Sequence, residues 1–247
     1  RHQTERDVVV LNGDDAYGRQ WMTEAPSRVL PFGWKRGAAH MRGTDMVVRA
    51  GKRDARLIRT DQLSLLGRHN AMNALAAALA AQAAGVTLAD IRCGMLRFQP
   101  LADRLEPVRT VRGVLYVNDT CATTPDGTIA AIKALRKDHR HIWLIAGGAD
   151  KELEYREFAK VVSKHRPHLH VLLLPGDASL KIRRELLRAR VHLHPVASVD
   201  DAVITASRRA VAGDAVVLSP GAASFNQFAN EFERGKQFMK AVRLIRA

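Results

Sequence analysis

Residues 117–128, Val117-Asn118-Asp119-Thr120-Cys121-Ala122-Thr123-Thr124-Pro125-Asp126-Gly127-Thr128, crowd hydroxyls around the carboxylate of Asp119. An apolar run at 113–117 precedes them and reads as a buried strand, while the apolar spacing of 129–135 reads as a helix. A polar strand-to-helix crossing of this kind sits at the carboxyl edge of a parallel sheet, where open α/β folds bind ligands. Cys121 lies in the same loop, but no base accompanies it, so nucleophilic catalysis is not expected.

Two further loops share that chemistry. Gly147-Gly148-Ala149-Asp150-Lys151 follows an apolar run, and glycines there would let backbone N–H groups approach an anion beside the Lys151 charge. A tight turn is the plainer alternative. Leu218-Ser219-Pro220-Gly221-Ala222-Ala223-Ser224-Phe225-Asn226-Gln227-Phe228 also joins a strand to a helix. Its hydroxyls either contact a carboxylate or phosphate, or Ser219, Ser224 and Asn226 serve as helix caps. Asn70 and Asn73, three apart at a helix start, share a face and could read a nucleobase edge; capping or surface roles compete. Arg104 could stack on a base, pair with a phosphate, or simply face solvent. His139/His141, His168/His170 and His192/His194 each fall on one face of a strand. Nothing supplies the convergent ligands and second-shell partners that zinc requires, so no metal site is expected.

The elements that must position these residues fall into two parts. Short strands are expected at 8–11, 28–30, 45–49 and 56–59, punctuated by Gly33, Gly37, Gly43 and Gly51. An Ala- and Leu-rich helix over 71–84 ends at Gly85, and Thr87 with Asp90 opens a second helix through residue 96. A boundary is expected at 100–106. Beyond it, strands at 113–117, 141–146, 170–174, 191–194 and 215–218 alternate with helices at 126–135, 152–164, 180–189, 199–211 and 227–244. That alternation predicts an α/β fold with a doubly wound, mostly parallel sheet.

The chain of 247 residues carries a formal net charge of +14, with 47% hydrophobic and 5% aromatic residues. No apolar run approaches membrane-spanning length. The basic residues are dispersed, the densest group being Lys181, Arg183, Arg184, Arg188 and Arg190, which reads as a solvated helix face. Nucleic-acid binding is not the expected function, and a basic surface suits phosphorylated, carboxylate-rich substrates. Cys93 and Cys121 are the only cysteines, which fits a reducing cytoplasm better than a disulfide framework. The start at Arg1-His2-Gln3 lacks an initiator Met and reads as internal to a longer protein.

In this order, the motifs resemble the ATP-dependent Mur ligases, in particular the branch that joins glutamate to UDP-N-acetylmuramoyl-L-alanine. Gly67-Arg68-His69-Asn70-Ala71-Met72-Asn73-Ala74 is similar to that family's Gly-x-His-Asn-x-x-Asn-Ala helix start. Phe98 to Glu106 is similar to its Phe-x-x-Leu-x-His-Arg-x-Glu hinge, and Asn118-Asp119-Thr120-Cys121-Ala122-Thr123 to its Asn-Asp-Ser-Lys-Ala-Thr. The resemblance implies that residues 1–100 are the tail of a central ATPase domain and 101–247 a Rossmann-like carboxy-terminal domain. It also implies that the phosphate loop, the magnesium ligands and a carbamylated lysine lie upstream, so this chain alone should not catalyse.

The implied reaction is formation of an acyl phosphate from ATP and a substrate carboxylate, followed by displacement of phosphate by the amine of glutamate. By the same resemblance Asn70, Asn73 and Arg104 face the adenine and its surroundings, and Asp119 holds the ribose. Thr123, Lys151 and Ser224 hold the glutamate carboxylates, and Lys151 and Asp119 stand nearest the chemistry. ATP and Mg2+ are the implied cofactors, and a cytoplasmic monomer is expected. D-Glutamate is the expected acceptor, against L-glutamate, another amino acid, a folylpolyglutamate-synthase-like reaction, or a non-catalytic basic Rossmann-like binding module. Three departures stand out. Cys121 replaces the family's Lys, Asp103 its His, and Glu231 an aromatic that closes over glutamate.

Overall fold

The computed structural model describes residues 2–65, 67–225 and 227–246. Its chain divides into two compact units, Arg1–Pro100 and Leu101–Ala247.

The first unit is built on a five-stranded sheet in simple sequence order: β1 (Val8–Asn12), β2 (Arg28–Phe32), β3 (Ala39–Arg42), β4 (Asp45–Ala50) and β5 (Arg53–Arg59). The first three strands run parallel and the last two turn back as antiparallel hairpins. Helix α2 (Arg68–Ala83) and α3 (Leu88–Arg97) cover it, burying Leu75, Ala78, Leu79 and Ile91 against Met46, Val48, Leu57 and Ile58. Gly85, at φ 87, gives its left-handed C-terminal turn to α2. Thr87 caps α3 by accepting from the Asp90 N–H, at 3.2 Å.

Helix α1 (Ala16–Glu24), between β1 and β2, was not expected. It buries only Gly18, so it carries no apolar stripe to read. A side chain at Gly18 would overlap the Asn12 carbonyl, which is why a helix-disfavouring residue is kept there.

The second unit has the expected doubly wound form. Its strands are β6 (Glu106–Val111), β7 (Val114–Asn118), β8 (Ile142–Ala146), β9 (Leu169–Leu173), β10 (Leu193–Pro195) and β11 (Ala215–Leu218), in the spatial order β10-β9-β8-β11-β7-β6. All pair in parallel except the unexpected edge strand β6, which forms a hairpin on β7. Along β8 every residue is buried, and successive side chains alternate between the two cores, as period-two geometry requires. Ile142, Leu144 and Ala146 pack with α4 (Pro125–Leu135), α5 (Arg156–Lys164) and α6 (Asp177–Arg188). Trp143 and Ile145 pack on the other face with α7 (Val199–Ser207) and α8 (Glu231–Arg243).

Two helices begin later than the apolar pattern suggests. Residues 152–155 stay outside α5 because Glu152 sits at φ 60 with its N–H on the Asp150 carboxylate. Helix α8 begins at Glu231 because Asn230 caps it, accepting from the Glu233 N–H. Replacing Leu144 by Ala removes a fully buried side chain from the central layer. The second unit is expected to lose about 2–5 kcal/mol, read as a shift of its denaturant midpoint at unchanged slope.

Candidate active site

The loops that follow β7, β8 and β11 all leave the carboxyl edge of the second sheet, because their strands are parallel neighbours. They are fastened to one another by backbone bonds. Ala149 and Ala223 exchange two N–H···O bonds of 2.8 and 3.1 Å, Gly147 N–H donates to Pro220 O, and Gly221 N–H to Ala122 O. A side chain at Gly148 would overlap the Ala223 carbonyl, so only glycine permits this approach.

These bonds correct one expectation. The N–H groups of Gly147, Gly148 and Ala149 do not face an open anion site: they are spent on Pro220 O, Ser179 Oγ and Ala223 O. What the loops present to a ligand is side chains. Lys151 is exposed and its Nζ donates to Thr123 Oγ1 at 3.1 Å, which joins the first two loops. Ser224 follows Ala223 directly; its hydroxyl is buried and, among the described residues, has no hydrogen-bond partner. It lines a cavity of about 10 Å³ with Gly147, Gly148, Leu174, Phe228 and Arg234. Neither Ser219 nor Ser224 caps α8, and Asn226 lies outside the described residues.

Arg234, which carried no signal in the sequence, is the side chain that braces the site. It is 1% exposed. Its Nε donates to Thr120 Oγ1, Nη2 to Thr120 O, and Nη1 to both Ala222 O and Ala223 O, at 3.0–3.2 Å. Burial pulls its guanidinium down to about 10, which leaves it charged at neutral pH. Thr120 Oγ1 donates in turn to the Glu231 carbonyl at 2.9 Å.

Asp119 is 6% exposed. Its oxygens accept from the Leu105 N–H at 3.0 Å and from Ser219 Oγ at 2.7 Å. Burial pushes this carboxylate up to about 6, and those two hydrogen bonds with the nearby Arg104 charge only partly offset it. Asp119 therefore anchors the segment carrying Arg104, whose own side chain is exposed. Asp103, at φ 64, and Leu105, at φ 44, flank Arg104 in left-handed conformations that non-glycine residues seldom adopt. Asp103 accepts from Asn118 Nδ2 at 2.7 Å and its backbone N–H donates to Glu106 Oε2, so the acid found here is absorbed into the fold. The Cys121 thiol is pushed up chiefly by burial, which keeps it protonated and unreactive.

In the first unit, Asn70 and Asn73 lie on α2, Asn70 half-buried and Asn73 exposed. At the start of that helix Arg68 stacks over the Trp34 ring, 4.3 Å from its centroid. Among the described residues no group of three or more His, Cys, Asp or Glu is placed to hold a metal ion.

Two family models cover most of the chain: the Mur ligase middle domain matches residues 1–81, and the Mur ligase, glutamate ligase domain matches 103–222. The chain belongs to the Mur ligase family. It is 36% identical, over 99% of its length, to the UDP-N-acetylmuramoylalanine–D-glutamate ligase of Symbiobacterium thermophilum. With the enzyme of that name from Roseiflexus sp. the figures are 38% and 98%. The chain spans about half the length of these curated relatives, 54% of each. Its fold matches the MurF ligase of Thermotoga maritima in complex with ADP, with a TM-score of 0.65 at 17% identity over 98% of this chain and 55% of that one. A pseudomurein peptide ligase type C from Methanothermus fervidus matches with a TM-score of 0.68 at 15% identity over 94% and 56%.

Within this Mur ligase chain two substitutions separate bracing from titration. Arg234→Met strands the Thr120 and Ala222 carbonyls in the interior and takes one of two partners from the Ala223 carbonyl and the Thr120 hydroxyl, and the second unit is expected to lose about 3 kcal/mol or more in denaturant unfolding. For Asp119, a folded-state value near 6 against an ordinary 3.8 means that the fold favours the protonated acid. Its stabilising share is complete below pH 3.8 and is lost as pH rises through 6. Asp119→Asn is therefore expected to cost on the order of 2 kcal/mol more at pH 4.5 than at pH 7.5; a difference constant with pH would show that the carboxylate does not titrate in this window.

Proposed function

We propose that this chain is the tail of the ATPase domain followed by the carboxy-terminal domain of an ATP-dependent ligase that adds D-glutamate to UDP-N-acetylmuramoyl-L-alanine. The observation that carries the reading is the Lys151–Thr123 contact with the unpartnered Ser224 hydroxyl on the adjoining loop. Those three side chains are one cation and two hydroxyls, the set suited to a small amino acid with two carboxylates. The identity to named D-glutamate ligases, spread over nearly the whole chain, supports the same acceptor.

In this reading a substrate carboxylate attacks the γ-phosphate of ATP and releases ADP. The glutamate amine then attacks the acyl carbon, the amide forms and phosphate leaves. Lys151, Thr123 and Ser224 bind the acceptor carboxylates and aim its amine. On the first unit Asn70 and Asn73 serve the adenine; on the second, Arg104 serves the nucleotide, and Asp119 holds the 103–105 segment while offering its remaining lone pairs to the ribose. Cys121 supplies no cation where relatives of the resembled pattern carry Lys, so Lys151 bears more of the acceptor's charge. Among the described residues no helix is long and apolar enough to cross a membrane.

Phosphate release by the full-length protein, with ATP, magnesium and UDP-N-acetylmuramoyl-L-alanine, tests this directly when single amino acids are added in turn. Release that depends on D-glutamate is expected. Dependence on L-glutamate alone would reassign the acceptor, and no release with any amino acid would overturn the reaction. Lys151→Ala is expected to raise KM for glutamate by about 10–100-fold, the worth of one hydrogen bond to a charged group, with ADP affinity unchanged.

A further inference from the structure

The opposite rim of the second sheet has a different chemistry. Helices α4 to α8 all end there, and the chain turns there into β7, β8, β9, β10 and β11. Backbone bonds make the rim continuous: Gly213 N–H donates to Gly113 O, Arg140 N–H to Gly213 O, and Ile142 N–H to His168 O. The Arg166 guanidinium donates to the Arg190 carbonyl.

Arg112, Arg140, Arg166, Arg190, Arg209 and Arg246 stand exposed along this rim. Cations in a last helical turn, such as Lys133 and Lys164, are accounted for by the negative end of the helix dipole. These six lie in turns outside the helices, so the dipole does not account for them. Opposing charge is scarce. The ion pairs here, among the described residues, are those of Glu185 with Arg184 and Arg188. Asp214 is 2% exposed and is spent on His141 N–H, Val211 N–H and Trp143 Nε1. The field is felt locally: His165 is held below its ordinary value first by burial and then by Arg136, Lys164 and Lys133.

Aliphatic side chains are set among the arginines. Leu187, Val211 and Leu244 are 55%, 51% and 74% exposed, within two residues in sequence of Arg188, Arg209 and Arg243. Among the described residues the exposed Phe, Tyr and Trp rings lie elsewhere: Tyr17, Trp21 and Phe98 belong to the first unit, Phe225 lies in the β11–α8 loop and Phe232 on α8 at the other edge. Single-stranded nucleic acid is gripped by stacking on successive aromatic rings, and of these the rim exposes the imidazoles of His168 and His192 but, among the described residues, no Phe, Tyr or Trp. Cations interleaved with aliphatic side chains suit the headgroup layer of an anionic bilayer, where phosphates meet the arginines and short apolar groups sink to the acyl boundary.

We propose that the arginine- and leucine-bearing rim of the second sheet is a peripheral docking surface for an anionic phospholipid bilayer. Docked this way, the loops of the candidate site face away from the lipid. Flotation of the full chain with phosphatidylcholine vesicles, with and without phosphatidylglycerol, tests it. Binding is expected only with the anionic lipid, and high salt should release it. Arg140→Glu, Arg209→Glu and Arg246→Glu together should lower the partition coefficient by about 100-fold or more, as expected when three cations leave an anionic surface. Arg28→Glu, Arg53→Glu and Arg97→Glu, an equal charge change on exposed positions of the first unit, should retain most of the binding. Thermal unfolding of both triple variants should match the parent. Absence of binding to phosphatidylglycerol vesicles, equal loss in the two triple variants, or tighter binding to single-stranded RNA than to vesicles would each overturn the proposal.

Discussion

A guanidinium withdrawn from water costs several kcal/mol unless each donor finds an acceptor. Arg234 meets that demand with four oxygens supplied by two loops, and packs against the glycine of a third. The cost runs both ways, because those carbonyls would be equally stranded without the arginine. Loop and cation therefore hold one another in place. Strands β7 and β11 set where the loops begin, but Arg234, from α8, sets how they close over each other. The loops of the candidate site are thus held together by a buried charge.

The same economy shapes the loop backbones. Gly147, Gly148 and Gly221 allow near contact between chains, and the N–H groups so exposed are consumed in joining one loop to the next. At this edge Lys151 and Thr123 are bonded to each other, and the Ser224 hydroxyl is buried without a partner among the described residues. Asp119 braces the loops as well. Its carboxylate is tied to the Leu105 N–H and to Ser219, and the shift of its titration follows from that burial. Residues that depart from the family's pattern are accommodated in different ways. Asp103 gains a buried amide partner in Asn118, Glu231 becomes the first residue of α8 with its carbonyl holding Thr120, and Cys121 remains a neutral thiol.

The second unit is also polarised. Acidic residues gather in the first turns of its helices, as Asp126, Glu157, Asp177, Asp200 and Glu231 do, and cations gather where helices end. Helix dipoles favour that arrangement, and the exposed arginines of the turns extend it well beyond what the dipoles ask for. The edge that carries Lys151, Thr123 and Ser224 and the arginine-bearing rim are consequently separated by the length of the strands.

Much was readable from the residues alone. Apolar runs such as Ile142–Ala146 and Ala215–Leu218 are buried on both faces and announce themselves as central parallel strands. The polar loops after them, with Asp119, Lys151 and Ser224, were visible as ligand-edge chemistry because strand-to-helix crossings in such sheets all leave the same edge. Helix α1 was not readable, since it buries little more than a glycine, and β6 was not, since an edge strand carries a weak apolar pattern. Nor could spacing reveal that the Gly147 and Gly148 N–H groups are already bonded, or that Arg234, one of 39 basic residues, is the one buried. Periodicity and turn chemistry are local and can be read along the chain. Strand order, the pairing of distant loops and the burial of a single charge are decided only when segments more than a hundred residues apart, such as Thr120 and Arg234, come within hydrogen-bond reach.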